Sequence, residues 1–307
     1  MKLIKQSFEI LNQKDFTIKG IKQFIERCAR VSYKSEDKIT DTSYEKFVNT
    51  LEINDHSRPL EFGTVHIKMP YTEFERFKTL CDKLNIWNAI WIKYNISKSD
   101  VYITTNYRYY KDLCLAIDLD RGYVIPYLED FSLQRYFTVE DNELFPKRYT
   151  VHMILSRAIM DEFRTHIGLS HLAESTRYCN YSKDKFCNSI TAIIPNYVHL
   201  NYDTIDLSKC SIGNNEYFQD TPFYDSNDMI TRQFIEAMQE IELYYFALLQ
   251  KGCKPQEARD VLPLNVKSEL VSCGFKDVWD NFFYRRCDNT AHPMAKEIAN
   301  QIKNSLY

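Results

Sequence analysis

The 307-residue chain has only seven glycines, and neither GxGxxG nor GxxxxGK[ST] occurs in it. Such glycine-rich loops let a backbone approach phosphate closely, so their absence excludes the usual dinucleotide fingerprint and the P-loop. No uninterrupted apolar run approaches the roughly 20 residues that cross a bilayer. Charges interrupt residues 1–16, so we expect neither a signal peptide nor a membrane contact.

Metal-binding and disulfide patterns are also missing. The nine cysteines form no CxxC pair, and the seven histidines show no HxxxH or HExxH spacing. This pattern favours free thiols in a reducing cytoplasm and predicts no metal site. No cysteine has a base beside it in the sequence, so nothing supports a nucleophilic cysteine.

The chain also lacks an excess of positive charge, with 39 basic and 42 acidic residues and a net charge of −3. No global field therefore attracts nucleic acid, and we expect no nucleic-acid partner. Any anion-binding site must be local. A composition of 44% hydrophobic and 26% charged residues is typical of a globular protein.

The apolar spacing predicts an α+β fold, a mixed sheet with flanking helices, in a single helix-rich domain over residues 1–307. Residues 61–69 and 101–113 read as strands, and on the first of them Phe62, Thr64 and His66 would share one face. Two segments without periodicity, 113–148 and 196–228, are predicted to be peripheral insertions. Helices are predicted at 18–30, at 42–53 after Asp41, from Pro70 to about 84, at 151–167, at 229–251 before Gly252, within 266–285 and from Pro293.

The most informative stretch is SHLAESTRYCNYSKDKF, residues 170–186. It brings Glu174, Ser175, Arg177 and Tyr178 into five positions. Arginine binds phosphate through a planar set of donors, hydroxyls add further donors, and tyrosine can stack on a ring. The stretch therefore suits a phosphorylated planar ligand, although composition alone leaves open a polar loop held by salt bridges.

Within it, ESTRYCNYSKDKF resembles the signature of the flavin-dependent thymidylate synthases, the ThyX family. Further blocks resemble the same family in the same order. They are ERCARVSYKSEDKITD at 26–41, DHSRPLEFGTV at 55–65, ITTNYR at 103–108, ARDVLP at 258–263 and FFYRRCDNTAHP at 282–293.

The resemblance implies that dUMP is methylated to dTMP with methylenetetrahydrofolate, FAD and NADPH, in a homotetramer with shared active sites. In this family reduced flavin delivers hydride, so the protein needs cations that stabilise charge on the uracil ring rather than a nucleophile. Arg286 matches the catalytic arginine. The matching dUMP contacts are Glu162, Ser175, Arg177, Tyr178, Arg259 and Arg286, and the matching FAD contacts are Thr64, Thr165, His166, Ile167 and Asn281.

The chain departs from the family on the flavin side. The Arg-His-Arg triplet falls at Thr165-His166-Ile167, where only the histidine is kept. Phe62 replaces a family histidine, Leu172-Ala173 replaces a polar pair, and Asp277 replaces an arginine. We therefore expect nucleotide binding to persist and flavin binding to be weakened or altered.

These departures leave three alternatives open. The chain would be a ThyX-fold enzyme that modifies a pyrimidine nucleotide differently, or a non-catalytic nucleotide-binding homologue. A nucleic-acid binder built on Tyr and Arg patches is the third alternative, and the acidic net charge counts against it.

Overall fold

The computed structural model describes residues 1–120, 130–175, 180–183, 188–209, 217–218 and 221–307. In these ranges the helices are α1 (Ile18–Tyr33), α2 (Ser43–Ile53), α3 (Tyr71–Lys83), α4 (Tyr107–Asp120), α5 (Arg157–Phe163), α6 (Met229–Gln250), α7 (Pro255–Ala258), α8 (Lys276–Arg286) and α9 (Pro293–Leu306). The strands are β1 (Lys2–Ile4), β2 (Ser7–Leu11), β3 (Thr64–Pro70), β4 (Ile92–Ser97), β5 (Asp100–Asn106), β6 (Phe137–Thr138), β7 (Arg148–Ser156), β8 (Ser170–Ala173), β9 (Thr191–Ile193), β10 (Thr204–Asp206), β11 (Tyr217–Phe218), β12 (Thr221–Pro222) and β13 (Lys267–Phe275).

The sheet that positions the site has four antiparallel strands in the order β2-β7-β13-β8. Its central strand β13 is covered on both faces. Val271 and Cys273 pack with α1, whereas Leu270 packs with α5, α8 and α9. Because side chains alternate along a strand, β13 can carry two different clusters of polar groups on its two faces.

Two further sheets complete the fold. The order β4-β5-β3-β6 is covered by α3 and α4, with a core that includes Ile67, Phe77 and Ile103. The order β10-β1-β9 packs with α6 around Leu3, Ile205 and other apolar residues. The expected α+β class is confirmed. None of the helices within the described ranges combines the length and the apolar character that a bilayer crossing requires.

Several predicted elements are confirmed. Helix α1 begins after Thr17, whose side chain accepts a hydrogen bond from Gly20 N at 3.1 Å. Helix α6 ends just before Gly252, which has a φ of +96° and so adopts the left-handed conformation that glycine tolerates best. Pro293 is the first residue of α9, as predicted.

The predicted helix at 151–167 is wrong in its first half, which forms the strand β7. The prediction for residues 266–275 fails in the same way, since they form β13. Both strands are internal to the sheet, and apolar residues lie on both faces of it. A strand of this kind has a continuous apolar run rather than strict alternation, and such a run cannot be told from a buried helix by periodicity.

Three boundaries also differ from the predictions. The strand predicted at 101–113 ends at Asn106, whose side chain accepts from Tyr109 N at 2.9 Å and so starts α4. Residues 58–62 form a short 3-10 turn ahead of β3, so Phe62 is buried outside the strand and does not share a face with Thr64 and His66. Helix α2 is preceded by Thr42 rather than capped by Asp41.

The two segments predicted to be insertions lie partly outside the described residues. In the described part of the first segment, Phe131 and Leu133 are buried in the core with α3 and α4. Phe145 is buried against His66. The peripheral role of residues 113–148 and 196–228 stays a prediction.

Candidate functional site

The candidate site lies where the C-terminal ends of α5 and α8 meet on one face of the sheet. Arg286, the last residue of α8, donates from Nε to His166 Nε2 at 3.0 Å and from Nη2 to Glu162 O at 2.8 Å. Nη2 also donates to Thr165 Oγ1 at 3.3 Å, and Nη1 donates to the carboxylate of Glu162. A guanidinium has five N–H groups. Within the described part of the chain, one N–H of Nη1 is therefore left for a ligand.

His166 is held as a neutral acceptor in this arrangement. Burial lowers the pKa of His166 to about 4, and the nearby charges of Arg286 and Arg285 lower it further. Because Nε2 accepts from Arg286, the ring proton must be on Nδ1. The ring also lies edge-on to Phe282, with centroids 4.8 Å apart. At neutral pH His166 therefore orients Arg286 and does not act as a proton donor through Nε2.

His171, on β8, supports the same loop from inside the fold. Its Nδ1 lies 2.9 Å from Ser272 Oγ, and its Nε2 lies 3.4 Å from His166 O. Burial lowers the pKa of His171 to about 4, and the charges of Arg164 and Arg58 act in the same direction. Sequence reasoning missed His171 and Ser272. Their signal is the pairing of β8 with β13, which places them opposite each other.

Two glycines let the loop after α5 lie close to β13. Gly168 has a φ of +94°, a conformation that other residues rarely adopt. A Cβ on Gly274 would lie 2.6 Å from Leu169 Cδ2. Ile167 directly precedes Gly168, and its side chain is 88% exposed. The loop thus presents Ile167 outward at a position where the family has an arginine.

A cleft of about 380 Å³ opens beside this loop. Buried Glu61 lies in its wall, where it accepts from Arg108 Nη1 at 2.6 Å and from Ser170 Oγ at 2.6 Å. The lining consists of Arg58, Glu61, Asn88, Ile90, Trp91, Arg108, Arg164, Thr165, His166, Ile167, Gly168, Leu169, Ser170 and His171. Thr165, His166 and Ile167, three of the predicted FAD contacts, therefore share one cleft.

The other two predicted FAD contacts lie elsewhere in the described structure. Thr64, at the start of β3, is buried and accepts from Arg148 Nη1 at 3.0 Å, and the cleft lining does not include it. Asn281, on α8, accepts from Arg285 Nε at 3.1 Å. Asp277, where the family has an arginine, forms an ion pair with Lys93. The flavin role of Thr64 and Asn281 stays a prediction.

The remaining dUMP contacts are only partly visible. Glu162 and Arg286 are joined directly, as described above. Ser175 follows β8 after the buried Glu174, and Arg259 lies in the short turn behind α7. Arg177 and Tyr178 lie outside the described residues. Assembly of Ser175 and Arg259 with Arg286 around one nucleotide stays a prediction.

His66, the histidine nearest to the family position that Phe62 occupies, has a packing role. Its ring is stacked between Phe16 and Phe145, with centroids 4.3 Å and 4.1 Å away. Its Nδ1 lies 2.9 Å from Glu140 O, and burial lowers the pKa of the ring. These contacts enclose the ring on both faces, so His66 does not take the place of the missing histidine.

The opposite face of β13 carries a second set of charges, which we call the closed ion cluster: Lys34, His152, Glu174, Lys267 and Glu269. Glu269 accepts from Lys34 and from Lys267 at 2.5 Å, and its Oε2 lies 2.8 Å from His152 Nε2. Lys267 also pairs with Glu174 at 3.0 Å. Burial alone raises the pKa of Glu269, but the bond from His152 and the charges of Lys267 and Lys34 hold it well below its usual range.

Comparison with known proteins gives one family and two solved structures. Residues 147–307 match the family described as thymidylate synthase complementing protein. No curated protein sequence matches the chain. The UMP/dUMP methylase PolB from Streptomyces cacaoi, bound with 5-Br UMP, is 13% identical with a TM-score of 0.41 over 99% of this chain and 90% of that one. The same methylase bound with 5-Br dUMP is 14% identical with a TM-score of 0.41 over 100% and 92%.

Proposed function

The chain belongs to the family of thymidylate synthase complementing proteins, and from this premise we propose that it is a ThyX-type methyltransferase of a pyrimidine nucleotide. The proposed reaction is reductive methylation of dUMP to dTMP with methylenetetrahydrofolate, FAD and NADPH. One observation carries the proposal: Arg286 is fixed by Glu162 and His166 with one N–H of Nη1 left for a ligand in the described structure.

Arg286 is proposed to stabilise negative charge that develops on the uracil ring. Its guanidinium is already oriented by the contacts with Glu162, Thr165 and His166, so little reorganisation is needed when charge appears. Its side chain is only 16% exposed, and a charge acts more strongly where water is largely excluded. Glu162 holds the cation in place and lowers the cost of burying it.

Neutral His166 is proposed to position Arg286 rather than to transfer a proton. Its pKa of about 4 keeps the imidazole uncharged at neutral pH. A protonated ring would place a second cation beside Arg286 and would break the bond at Nε2. His166 is therefore a positioning residue for the arginine, and its side of the cleft is also where the cofactor is proposed to bind.

The cleft suits an anionic, planar cofactor because its lining has more arginines than carboxylates and includes Trp91. Thr165, His166 and Ile167 would contact FAD there, and Asn281 and Thr64 are the further contacts that the family resemblance proposes. When bound, reduced FAD supplies the hydride for the reaction. The chain's own contribution is to bind the nucleotide, to hold Arg286 and to exclude water.

Assembly into a homotetramer with shared sites is part of the proposal. Exposed apolar side chains on α4 and α6 support it, because large apolar groups in solvent often mark contacts between subunits. They include Leu115, Leu119, Leu243 and Tyr244. Light scattering of the purified protein would give the mass of the assembly, and a monomer at micromolar concentration would contradict this part.

The first experiment is the visible absorbance of the purified protein before and after FAD is added and the sample is desalted. A retained flavin band supports the cofactor assignment, and dTMP formation from dUMP then tests the reaction. Equilibrium dialysis with dUMP tests the nucleotide site separately. Tight FAD binding without any dUMP binding would contradict the proposal. Arg27→Gln is a suitable control, because Arg27 pairs with exposed Glu9 and does not line the cleft.

A second candidate function is nucleotide binding without catalysis. It is favoured by one observation, the neutral Thr165 and the exposed Ile167 where the family has cations. This candidate predicts that dUMP binds and that no dTMP forms, even with FAD, NADPH and methylenetetrahydrofolate present. Measurable turnover would eliminate it.

A further inference from the structure

We propose that Arg58 and Arg164, backed by Arg108, form a diphosphate-binding wall of the 380 Å³ cleft, in place of the cations missing at 165 and 167. The ligand class is a dinucleotide diphosphate, and the inference rests on the proposed function, which names FAD. The wall is built from three separate parts of the chain. Arg58 and Arg108 lie in the blocks at 55–65 and 103–108 rather than in the signature at 174–186, and Arg164 lies one residue before the first position of the family triplet.

The charge balance of the cleft supports an anion. Its lining contains three arginines and one carboxylate, and both of its histidines are neutral at pH 7 because burial lowers the pKa of each to about 4. The carboxylate is that of Glu61, whose two oxygens already accept from Arg108 and Ser170 at 2.6 Å. Two exposed carboxylates just outside the lining also pair with the wall, Asp112 with Arg108 at 3.9 Å and Asp161 with Arg164 at 3.4 Å, so in the described ranges Arg58 is the arginine of the wall that has no carboxylate partner.

Arg58 and Arg164 are the two arginines that can turn toward a ligand. Both are exposed, and both line the same cleft as His171. Within the described ranges Arg58 takes part in no ion pair. Arg164 has only a pair with exposed Asp161 at 3.4 Å, and exposed pairs of this kind contribute little. Replacing such a contact with a diphosphate costs little.

Arg108 has a different role, because it is fixed. It is held by Glu61 on one side, and its guanidinium lies 5.3 Å from the ring centre of Trp91. This arrangement gives the wall one immobile cation beside an aromatic face. A planar ring can stack on such a face while its phosphates meet arginines nearby, so the cleft offers both kinds of contact that a dinucleotide requires.

The geometry of the loop at 165–167 explains why the proposed cations are Arg58 and Arg164 instead of residues 165 and 167. Thr165 is joined to Arg286, and Ile167 lines the cleft as an apolar side chain that is 88% exposed. Arg164 lies at the end of α5, one residue before Thr165, and one residue of helix is a rotation of about 100°. Its side chain therefore reaches the cleft from a different direction, and Arg58 completes the pair from the turn before β3.

The test is a titration of the full-length protein with FAD, and with riboflavin as the probe that lacks phosphates, followed by flavin fluorescence. We expect FAD to bind more tightly than riboflavin and to be displaced by inorganic pyrophosphate. Arg58→Gln and Arg164→Gln should each weaken FAD binding by about tenfold or more, as expected for a charged hydrogen bond, and leave riboflavin binding unchanged. Higher salt should weaken FAD binding more than riboflavin binding.

Arg27→Gln is the matched control, because it removes a cation that pairs with the exposed carboxylate of Glu9 away from the cleft. Wild-type affinity for FAD in both Arg58→Gln and Arg164→Gln would overturn the inference, as would equal affinity for FAD and riboflavin.

Dialysis with dUMP on the same samples separates the diphosphate-binding wall from the proposed function. If dUMP binds while the arginine variants keep full FAD affinity, the diphosphate wall is wrong and the proposed function stands. If FAD binding depends on the arginines but dUMP does not bind, the wall stands and the proposed function falls.

Discussion

Strand β13 carries charged groups near both of its faces, and the two sets differ in how completely they are neutralised. On the α1 face, Glu269 accepts from two lysines and meets His152, so the charges of the closed ion cluster are paired within it, although Lys34 and Lys267 also line a cleft of about 930 Å³. On the α5 and α8 face, Arg286 is fixed by Glu162 and neutral His166 beside an open cleft. A network of paired charges suits the fold, whereas an oriented cation that keeps one N–H beside a cleft suits a ligand.

The largest expected effect is on the face of β13 that carries Glu162, His166 and Arg286, which we call the open side. Arg286→Gln removes the proposed stabilising charge, and we expect dTMP formation to fall by about 10²–10³-fold, as when one oriented donor is lost from an active site. Glu162 is partly exposed, so the free energy of unfolding should change much less. The measurement is kcat/KM for dUMP together with a denaturant titration. Arg286→Gln with unchanged turnover would remove Arg286 from the mechanism.

The closed side, which is the face with the closed ion cluster, should show the reverse pattern: a large effect on stability and a small effect on dUMP binding. Glu269→Gln leaves the partly buried amines of Lys34 and Lys267 without their shared carboxylate, with only Glu174 still beside Lys267, and we expect the free energy of unfolding to fall by about 3 kcal/mol. The affinity for dUMP should stay near the wild-type value wherever the variant is folded. Glu9→Gln, which removes an exposed partner of Arg27, is the control and should change stability little. A loss of dUMP affinity as large as that of Arg286→Gln would break the distinction between the two faces.

The sequence predicts the open side much better than the closed side. Arg286 was predicted from a block that resembles the family, His166 from the position of the family triplet and Glu162 from a single matching position, and residues 147–307 match the family. The closed ion cluster has no such signal. Its members are far apart in the sequence, and only the pairing of β13 with β7 and the packing of α1 bring them together. No local pattern encodes a contact between Lys34 and Glu269.

The secondary structure shows a similar limit. Amphipathic surface helices such as α1 were predicted well, because one face is apolar and the other polar. The internal strands β7 and β13 were predicted as helices, since burial on both faces hides their alternation. His171 and Ser272 were missed for another reason. Their contact depends on the register between β8 and β13, which no local pattern in the sequence reveals.

A pH titration tests the neutral histidines of the open side. The folded pKa of His171 is about 4, below the roughly 6.5 of an unfolded histidine, so the unfolded chain binds more protons between these values. The stabilisation is fully present above pH 6.5 and is lost as the pH falls toward 4. We expect about 2 kcal/mol of stability to be lost between pH 7 and pH 4.5 through this residue.

His171→Asn should remove this part of the pH dependence, measured by denaturant titrations at both pH values. His166 and His66 also have lowered pKa values and give the same sign, so only the difference between variant and wild type assigns the effect to His171. Glu269 does not interfere, because its lowered pKa makes its contribution fall only below the ordinary glutamate range, near pH 4. An identical slope in His171→Asn would show that the pKa of His171 is the same in the folded and unfolded chain.

The smallest expected effect compares two glycines with the same backbone conformation. Gly168 and Gly252 have φ values of +94° and +96°, so alanine at either position should cost about 1 kcal/mol of stability. Their surroundings differ. A Cβ at Gly168 would lie 3.0 Å from Val278 Cγ1, whereas nothing lies within 4 Å at Gly252. Gly168→Ala should therefore also shift the loop that carries Thr165 and His166 and weaken FAD binding severalfold, whereas Gly252→Ala should leave FAD binding unchanged. Equal effects of the two variants on FAD affinity would mean that the conformation of this loop does not determine the shape of the cleft. FAD binding would then depend on the arginines of the diphosphate-binding wall and not on the loop.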